Sequence, residues 1–156
     1  MSKIKIIVID KTKAPFLAEG EHFYLKRLRH YIRVEWIEAR GRRVAAGSTR
    51  KEILDREAEA IIGHAGSRDH LIALSQEGVV MDSVALACKL EGLIGKKDPV
   101  TFVIGGPLGL GDAVYERSVA TLSLSRFTLT HEMTRLILLE QLYRAFTIMR
   151  KEKYHK

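Results

Sequence analysis

The sequence predicts an α/β fold, a mostly parallel sheet flanked by helices, in one domain covering residues 1–156. Three observations predict it. Runs rich in β-branched residues alternate with amphipathic segments from end to end, the pattern of repeated βα units. The apolar run Val100-Thr101-Phe102-Val103-Ile104 opens at once into Gly105-Gly106-Pro107-Leu108-Gly109-Leu110-Gly111, and a helix resumes near Asp112. No linker, repeat or low-complexity tract divides the 156 residues, a length that suits one well-filled core.

The elements follow in order. Lys3-Ile4-Lys5-Ile6-Ile7-Val8-Ile9 is strand one. Pro15 opens a helix to about residue 30, with Phe16, Phe23, Leu25 and Leu28 as its apolar positions. Residues 31–39 alternate through Val34 and Trp36 as strand two. Arg40-Gly41-Arg42-Arg43 and Gly47 make a basic loop. Thr49 and Glu52 form a capping box for a helix to about residue 64. Leu71-Ile72-Ala73-Leu74 is strand three, with Ser75-Gln76-Glu77-Gly78 as a loop at its carboxyl end. Asp82 caps a helix to about residue 93, and Gly95 lies beyond it. Strand four ends at Ile104, a short helix starts at Asp112, and Ala120-Thr121-Leu122-Ser123-Leu124 is strand five. The last and longest helix covers 131–149, and 150–156 is a polar tail.

That last helix carries apolar residues on more than one face, among them Leu136, Ile137, Leu138, Leu142, Tyr143 and Phe146. Such a helix needs cover on most sides, as a central core helix or as a homodimer interface.

Composition narrows the function classes. Hydrophobic residues are 46% of the chain, which excludes a disordered chain. Lys and Arg number 26 against 19 Asp and Glu, a formal net charge of +7. That excess favours a polyanionic partner, RNA or DNA ahead of membrane, over a merely solvated basic surface. The single cysteine, Cys88, excludes an intramolecular disulfide and a Cys-rich metal site. Its neighbours Val84, Ala85, Leu86 and Leu90 predict a buried structural thiol. Residues 4–9 are too short for a signal-peptide core and nothing approaches a membrane span, so a cytoplasmic protein is expected.

The Gly-rich loop fails both familiar phosphate tests. Walker A needs Lys after its last Gly, and Asp112 stands there. The dinucleotide fingerprint needs a third Gly where Val114 stands. What remains is a ligand held by backbone groups without a phosphate anchor, or an ordinary βα turn. His131-Glu132-Met133-Thr134-Arg135 has Arg where zinc would need a second His. Ser123, Ser125, Thr128 and Thr130 cluster after strand five, where hydroxyls satisfy loop backbone by default. Tyr154-His155-Lys156 combines groups that stack on a base and touch a phosphate, against the fraying expected of a terminus.

Several segments together resemble the small SPOUT (α/β-knot) ribosomal RNA methyltransferases of the RlmH type. They are Phe102-Val103-Ile104-Gly105-Gly106-Pro107-Leu108-Gly109-Leu110, Leu122-Ser123-Leu124-Ser125, His131 with Arg135, Glu140-Gln141-Leu142-Tyr143-Arg144-Ala145-Phe146, and Tyr154-His155-Lys156. The resemblance spans essentially the whole chain. It implies a trefoil knot in the carboxyl-terminal half and a homodimer through the last helix. It implies S-adenosylmethionine as cofactor, no metal, and methylation of N3 of a pseudouridine in 23S ribosomal RNA on assembled ribosomes. Carried over by position, the cofactor contacts are Leu74, Gly105, Leu124, Ser125, Arg126, Phe127, Thr128 and Leu129. His131, Tyr154 and His155 are the expected catalytic groups, the last two from the same or the other subunit. Lys11, Lys13, Arg40, Arg42, Arg43, Arg135 and Lys156 are the expected RNA contacts, with pocket shaping or carbonyl capping open as other roles for Arg135. Leu108, Thr130 and Asp10 depart from the family pattern, which often has Glu, Pro and Gly there. A non-catalytic RNA-binding module, or a knotted enzyme with another RNA target, are the alternatives.

Overall fold

The computed structural model describes residues 2–41 and 45–156. The strands are β1 (Lys3–Ile9), β2 (Arg33–Ala39), β3 (His70–Val80), β4 (Val100–Ile104) and β5 (Ala120–Ser123). They form one sheet in the order β2-β1-β4-β3-β5, and every neighbouring pair is parallel. The helices are α1 (Pro15–Leu28), α2 (Arg50–His64), α3 (Ser83–Ile94), α4 (Asp112–Arg117) and α5 (His131–Met149).

Period-two side-chain alternation divides the core between the two faces of the sheet. Ile4, Ile6, Val8, Ile72, Leu74, Phe102 and Ile104 pack with α1, α3 and α5. Ile7, Ile9, Leu71, Ala73 and Val103 pack with α2 and α4. Every residue of β4 is buried, because β4 lies between β1 and β3 under helices on both sides. The expected α/β class is therefore observed.

Caps fix the helix starts. Thr49 Oγ1 accepts from Glu52 N at 3.2 Å, Asp82 Oδ1 from Ala85 N at 2.7 Å, and Thr130 Oγ1 from Met133 N at 3.2 Å. Thr130 thus starts α5 by accepting an orphan amide bond, a different device from the proline common in the resembled family. Asp10 sits at φ 59 directly after β1. Only a few residue types tolerate that left-handed conformation, Gly first and Asp or Asn next, which accounts for the Gly often found there.

Several expectations are corrected. α1 buries Leu17, Glu21, Leu25 and Leu28, while Phe16 and Phe23 are 66% and 46% exposed. The core-facing stripe runs 17-21-25-28, and Phe16 and Phe23 flank it on the outer side. β2 begins at Arg33 because 29–32 are used in the turn that ends α1, with Tyr31 N and Ile32 N both bonded to Leu28 O. β3 runs on past Leu74 to Val80, so 75–78 lie within a strand and not in a free loop. β5 ends at Ser123, one residue early. Cys88 is exposed, because α3 turns Leu86, Ala87 and Leu90 inward and rotates position 88 to solvent. Among the described residues no helix is long and apolar enough to cross a membrane.

Candidate active site

The middle of β3 and the carboxyl ends of β4 and β5 enclose a crevice of about 460 Å³, within the range of small-molecule sites. Three stretches wall it: 74–77, 104–110 and 122–129 without Arg126. Arg50, Tyr115, His131 and Thr134 complete the lining.

The middle wall is a closed turn. Gly109 N donates to Gly106 O at 3.0 Å, and Gly109 has φ +87. Gly105 lies flat against that turn, so that a Cβ there would fall 2.5 Å from the Gly109 carbonyl carbon. The wall is therefore bare backbone, shaped to let a ligand approach amides and carbonyls closely. Arg50 Nη2 donates to Leu108 O at 3.1 Å, so this cation braces the wall.

The third wall is tied by its own hydroxyls. Ser123 Oγ donates to Ser125 O at 2.8 Å, and Phe127 N donates to Ser125 Oγ at 2.9 Å. Phe127 is left 83% exposed on the rim. The first wall is a bulge. Leu74 and Val79 of β3 both align with Leu122 of β5, so the register shifts across 75–78. Gly78 lies on the β5 backbone, where a Cβ would come 2.6 Å from the Leu122 carbonyl carbon.

The structure brings together Leu74, Gly105, Leu124, Ser125, Phe127, Thr128, Leu129 and His131. Arg126 is outside the lining, but its carbonyl accepts from Gln76 Nε2 at 3.1 Å. Arg50, Ser75, Gln76, Glu77, Tyr115 and Thr134 also line the crevice and were not expected. The placement of Ser75-Gln76-Glu77-Gly78 at a strand's carboxyl end was the available signal for three of them; Arg50, Tyr115 and Thr134 had none.

His131 begins α5 at the crevice edge, with Nε2 3.9 Å from Glu132 Oε2. Burial holds its imidazole below the ordinary value of 6.5, aided by the positive charges of Arg135 and Lys13 and opposed by Glu132. The ring is therefore neutral at pH 7. Glu132 Oε1 accepts from Lys13 N and Ala14 N, each at 3.0 Å, and so ties the start of α5 to the start of α1.

Arg135 is corrected as an RNA contact. It is 1% exposed, and its guanidinium donates to Ile9 O, to Asp10 O at 3.0 Å and to Thr12 Oγ1 at 2.9 Å. Thr12 donates in turn to Glu21, which is also buried. A guanidinium enclosed in this way caps the end of β1 and cannot reach a phosphate. Lys11, Lys13 and Arg40 are exposed beside the carboxyl ends of β1 and β2, on the crevice side of the sheet. Arg42 and Arg43 lie outside the described residues. Lys156 is exposed.

The tail is docked on its own helix. Tyr154 Oη donates to Glu140 Oε1 at 3.1 Å, its ring centroid lies 4.8 Å from that of Tyr143, and Arg144 stacks 4.8 Å from it. Arg144 Nη1 approaches His155 Nδ1 at 3.5 Å. Burial, with the Glu140 carboxylate, pushes the Tyr154 phenol up to about 12, so it stays protonated at pH 7. Glu140 lies nine residues beyond His131, about 14 Å along the helix. Neither Tyr154 nor His155 lines the crevice of its own chain.

An open parallel sheet whose carboxyl edge holds a backbone-walled crevice defines an α/β ligand-binding protein, and the crevice is suited to a ligand without a phosphate anchor. The chain belongs to the SPOUT methyltransferase family: the family model described as "Predicted SPOUT methyltransferase" matches residues 2–155. Its relatives include a protein of Anaeromyxobacter sp. (strain Fw109-5), 39% identical over 99% of both chains. Another, from Bacillus pumilus (strain SAFR-032), is 41% identical over 98% of this chain and 99% of the other. A third, from Enterococcus faecalis (strain ATCC 700802 / V583), is 37% identical over 99% of both. Each is named "Ribosomal RNA large subunit methyltransferase H". The fold is shared with a probable methylase family protein from Haemophilus influenzae Rd KW20, at a TM-score of 0.55 and 15% identity, over 98% of this chain and 70% of that one. The family resemblance read from the sequence is borne out.

Proposed function

We propose that this protein is a ribosomal RNA methyltransferase that moves a methyl group from S-adenosylmethionine to N3 of a pseudouridine in 23S ribosomal RNA. It works on the assembled ribosome as a knotted homodimer. The observation that carries this reading is the three-walled crevice backed by Gly105, in a chain whose full-length relatives are named as large-subunit ribosomal RNA methyltransferases.

The crevice fits this cofactor. Its walls offer amides, carbonyls and hydroxyls, and its one lining guanidinium is engaged by Leu108 O. Glu77 is the only carboxylate among the lining residues, which suits a ligand bearing positive charge. When bound, S-adenosylmethionine supplies a methyl already activated by its positive sulfur, so alignment accounts for much of the catalysis. The walls at 74–77, 105–110 and 124–129 would hold it, and His131 would meet the incoming base at the edge. The sulfur–methyl bond would break as the N3–carbon bond forms, releasing the neutral thioether S-adenosylhomocysteine, and the neutral imidazole of His131 would take the proton lost from N3. Lys11, Lys13, Arg40 and Lys156 supply phosphate contacts that weaken with salt.

Two features support the homodimer. Gly20 of α1 packs on Leu136 of α5, and the exposed Phe16 and Phe23 share that side of α1. The outward side of α5 also leaves Leu136, Ile137 and Tyr143 only half-buried. A second copy seated on α1 and α5 covers this apolar strip. It also offers the route by which Tyr154 and His155 reach a crevice, that of the partner. There the protonated phenol serves as a hydrogen-bond donor, not as the base.

The direct test is incubation with labelled S-adenosylmethionine and ribosomes lacking the modification, followed by mapping of the labelled nucleoside. Label in 3-methylpseudouridine supports the reading; cofactor binding with no label in ribosomes refutes the target.

His131 gives a pH prediction. Its folded pKa is lowered, so the proton-accepting form prevails at pH 6.5 and above and is lost only as pH falls through the lowered value. Methyl transfer is expected to be flat above pH 6.5 and to fall in more acid solution. His131→Gln is expected to remove that limb and to lower the rate by about a hundredfold or more. The pH–rate profile of both proteins checks this, and an unchanged limb in the variant excludes His131 as the base.

Removal of 154–156 is expected to leave cofactor affinity within about twofold and to lower methyl transfer by about a hundredfold. In mixed dimers, a truncated subunit paired with a His131→Gln subunit is expected to regain activity, because one of the two crevices then has both parts. No recovery on mixing would place the tail's action within its own chain.

A further inference from the structure

We propose that Gln76 is the positioning residue that sets the width of the cofactor crevice, its side-chain amide bridging two of the three walls. The inference rests on the reading of the crevice as an S-adenosylmethionine site. Its starting point is the break in the β3–β5 ladder. Leu74 and Val79 both align with Leu122, so 75–78 have no register partner on β5. The ladder therefore ties the first wall to the third only at Leu74 and Leu122, and leaves 75–77 and the loop from 124 to 129 unpaired. Bulges beside active sites commonly re-aim side chains in this way.

Gln76 replaces the missing ladder. Its Nε2 donates to Arg126 O at 3.1 Å, and its Oε1 accepts from Thr128 Oγ1 at 3.1 Å. The Arg126 carbonyl can only accept, which fixes the orientation of the amide; the Thr128 hydroxyl then donates to the oxygen that remains. Both ends of one planar group are thus used on a single loop, two residues apart. Ser75 Oγ stiffens the bulge by accepting from Glu77 N at 3.3 Å. Phe127, between the two bonded residues, is 83% exposed, so little packing holds this loop from outside. The loop carries Leu124 to Leu129, the wall read as gripping the cofactor. Without the bridge, cofactor binding must order the loop, and that ordering weakens affinity.

The test uses three variants of the full-length protein: Gln76→Leu, which keeps the bulk and loses both bonds; Thr128→Val, which loses one; and the double variant. Affinity for S-adenosylmethionine is read by calorimetry, KM and kcat by methyl transfer to ribosomes, and folding by thermal unfolding. Gln76→Leu is expected to weaken binding and raise KM about tenfold, with kcat within about twofold and the unfolding midpoint nearly unchanged. Thr128→Val is expected to cost about threefold, and the double variant no more than Gln76→Leu alone, since the bonds share one partner. Wild-type affinity in Gln76→Leu, effects that multiply in the double variant, or an unfolding midpoint that falls in step with affinity would each overturn the proposal. Wild-type protein that does not bind at millimolar S-adenosylmethionine overturns the site reading itself, and the role of Gln76 with it.

Discussion

Gly105→Ala is expected to weaken S-adenosylmethionine binding by at least about a hundredfold while leaving the sheet folded. The added Cβ would fall within the Gly109 carbonyl group, 2.5 Å from its carbon and 3.2 Å from its Cα. That neighbour is backbone, not the end of a flexible side chain, so the turn itself must move. The turn is closed by Gly109 N to Gly106 O and braced from α2 by Arg50 on Leu108 O. Displacing it shifts the amides and carbonyls of the middle wall, and backbone ligands cannot be replaced by a change of rotamer. β4 itself ends at Ile104 and is buried throughout, so the core is spared. Gly92→Ala in α3 is the control. No atom lies within 4 Å of a Cβ there, and alanine is expected to add about 0.5–1 kcal/mol of helix stability with no effect on binding. Calorimetric titration alongside thermal unfolding checks both. A Gly105→Ala protein that binds normally would show that the close approach at 105 is unrelated to the ligand.

Arg135→Met is expected to cost about 3–5 kcal/mol of stability. Arg135 is among the largest fully buried side chains of the chain, and it holds the carbonyls of Ile9 and Asp10, the Thr12 hydroxyl and, through Thr12, Glu21. Burial lowers its pKa and Glu21 raises it, so cation and carboxylate sustain each other in the interior. Methionine fills much of the volume but leaves two carbonyls and the Thr12 hydroxyl oxygen without their donor, and Glu21 without its neighbouring positive charge. Lysine offers one nitrogen where a fork of donors is needed, so Arg135→Lys is expected to recover only part of the loss. The pH dependence carries a sign. Burial raises Glu21 above its ordinary 4.5, so the folded state binds its proton more readily than the unfolded chain does. Its contribution is favourable below the ordinary value and is lost as pH rises through the raised one. Without Arg135 that value rises further, so the penalty of Arg135→Met should be largest near neutral pH and shrink in acid. Urea unfolding at pH 4 and pH 7 measures both. An equal penalty at the two values would show that Glu21 does not depend on Arg135.

Much of this was legible in the sequence, for local reasons. β1, β4 and α5 are marked by dense β-branched runs or by a long apolar segment, and their bounds match. The sequence alone allows the Gly-rich loop to be refused both phosphate readings, because those depend on single residues at fixed offsets. Burial was harder to read. Phe16 and Phe23 are apolar but flank a stripe whose phase is set by Leu17, Leu25 and Leu28. Cys88 sits in an apolar sequence but on the outer side of α3. Arg135 reads as an RNA contact with carbonyl capping as an alternative, and the sequence cannot choose between them because the carbonyls of Ile9 and Asp10 lie more than 120 residues away. The bulge at 75–78 was hidden for the same reason: it arises from register against β5, a property of two distant segments. The three crevice walls are likewise separated in sequence, and only the family resemblance joins them without the fold.

The crevice walled by the middle of β3 and the ends of β4 and β5 is the proposed site of the methyl donor. Titration of isotopically labelled protein with S-adenosylmethionine, following each backbone amide by NMR, tests it most directly. The account predicts that the large shifts fall on 74–77, 105–110 and 124–129, with His131 beside them. Shifts that cluster elsewhere, or none at saturating donor, would contradict it.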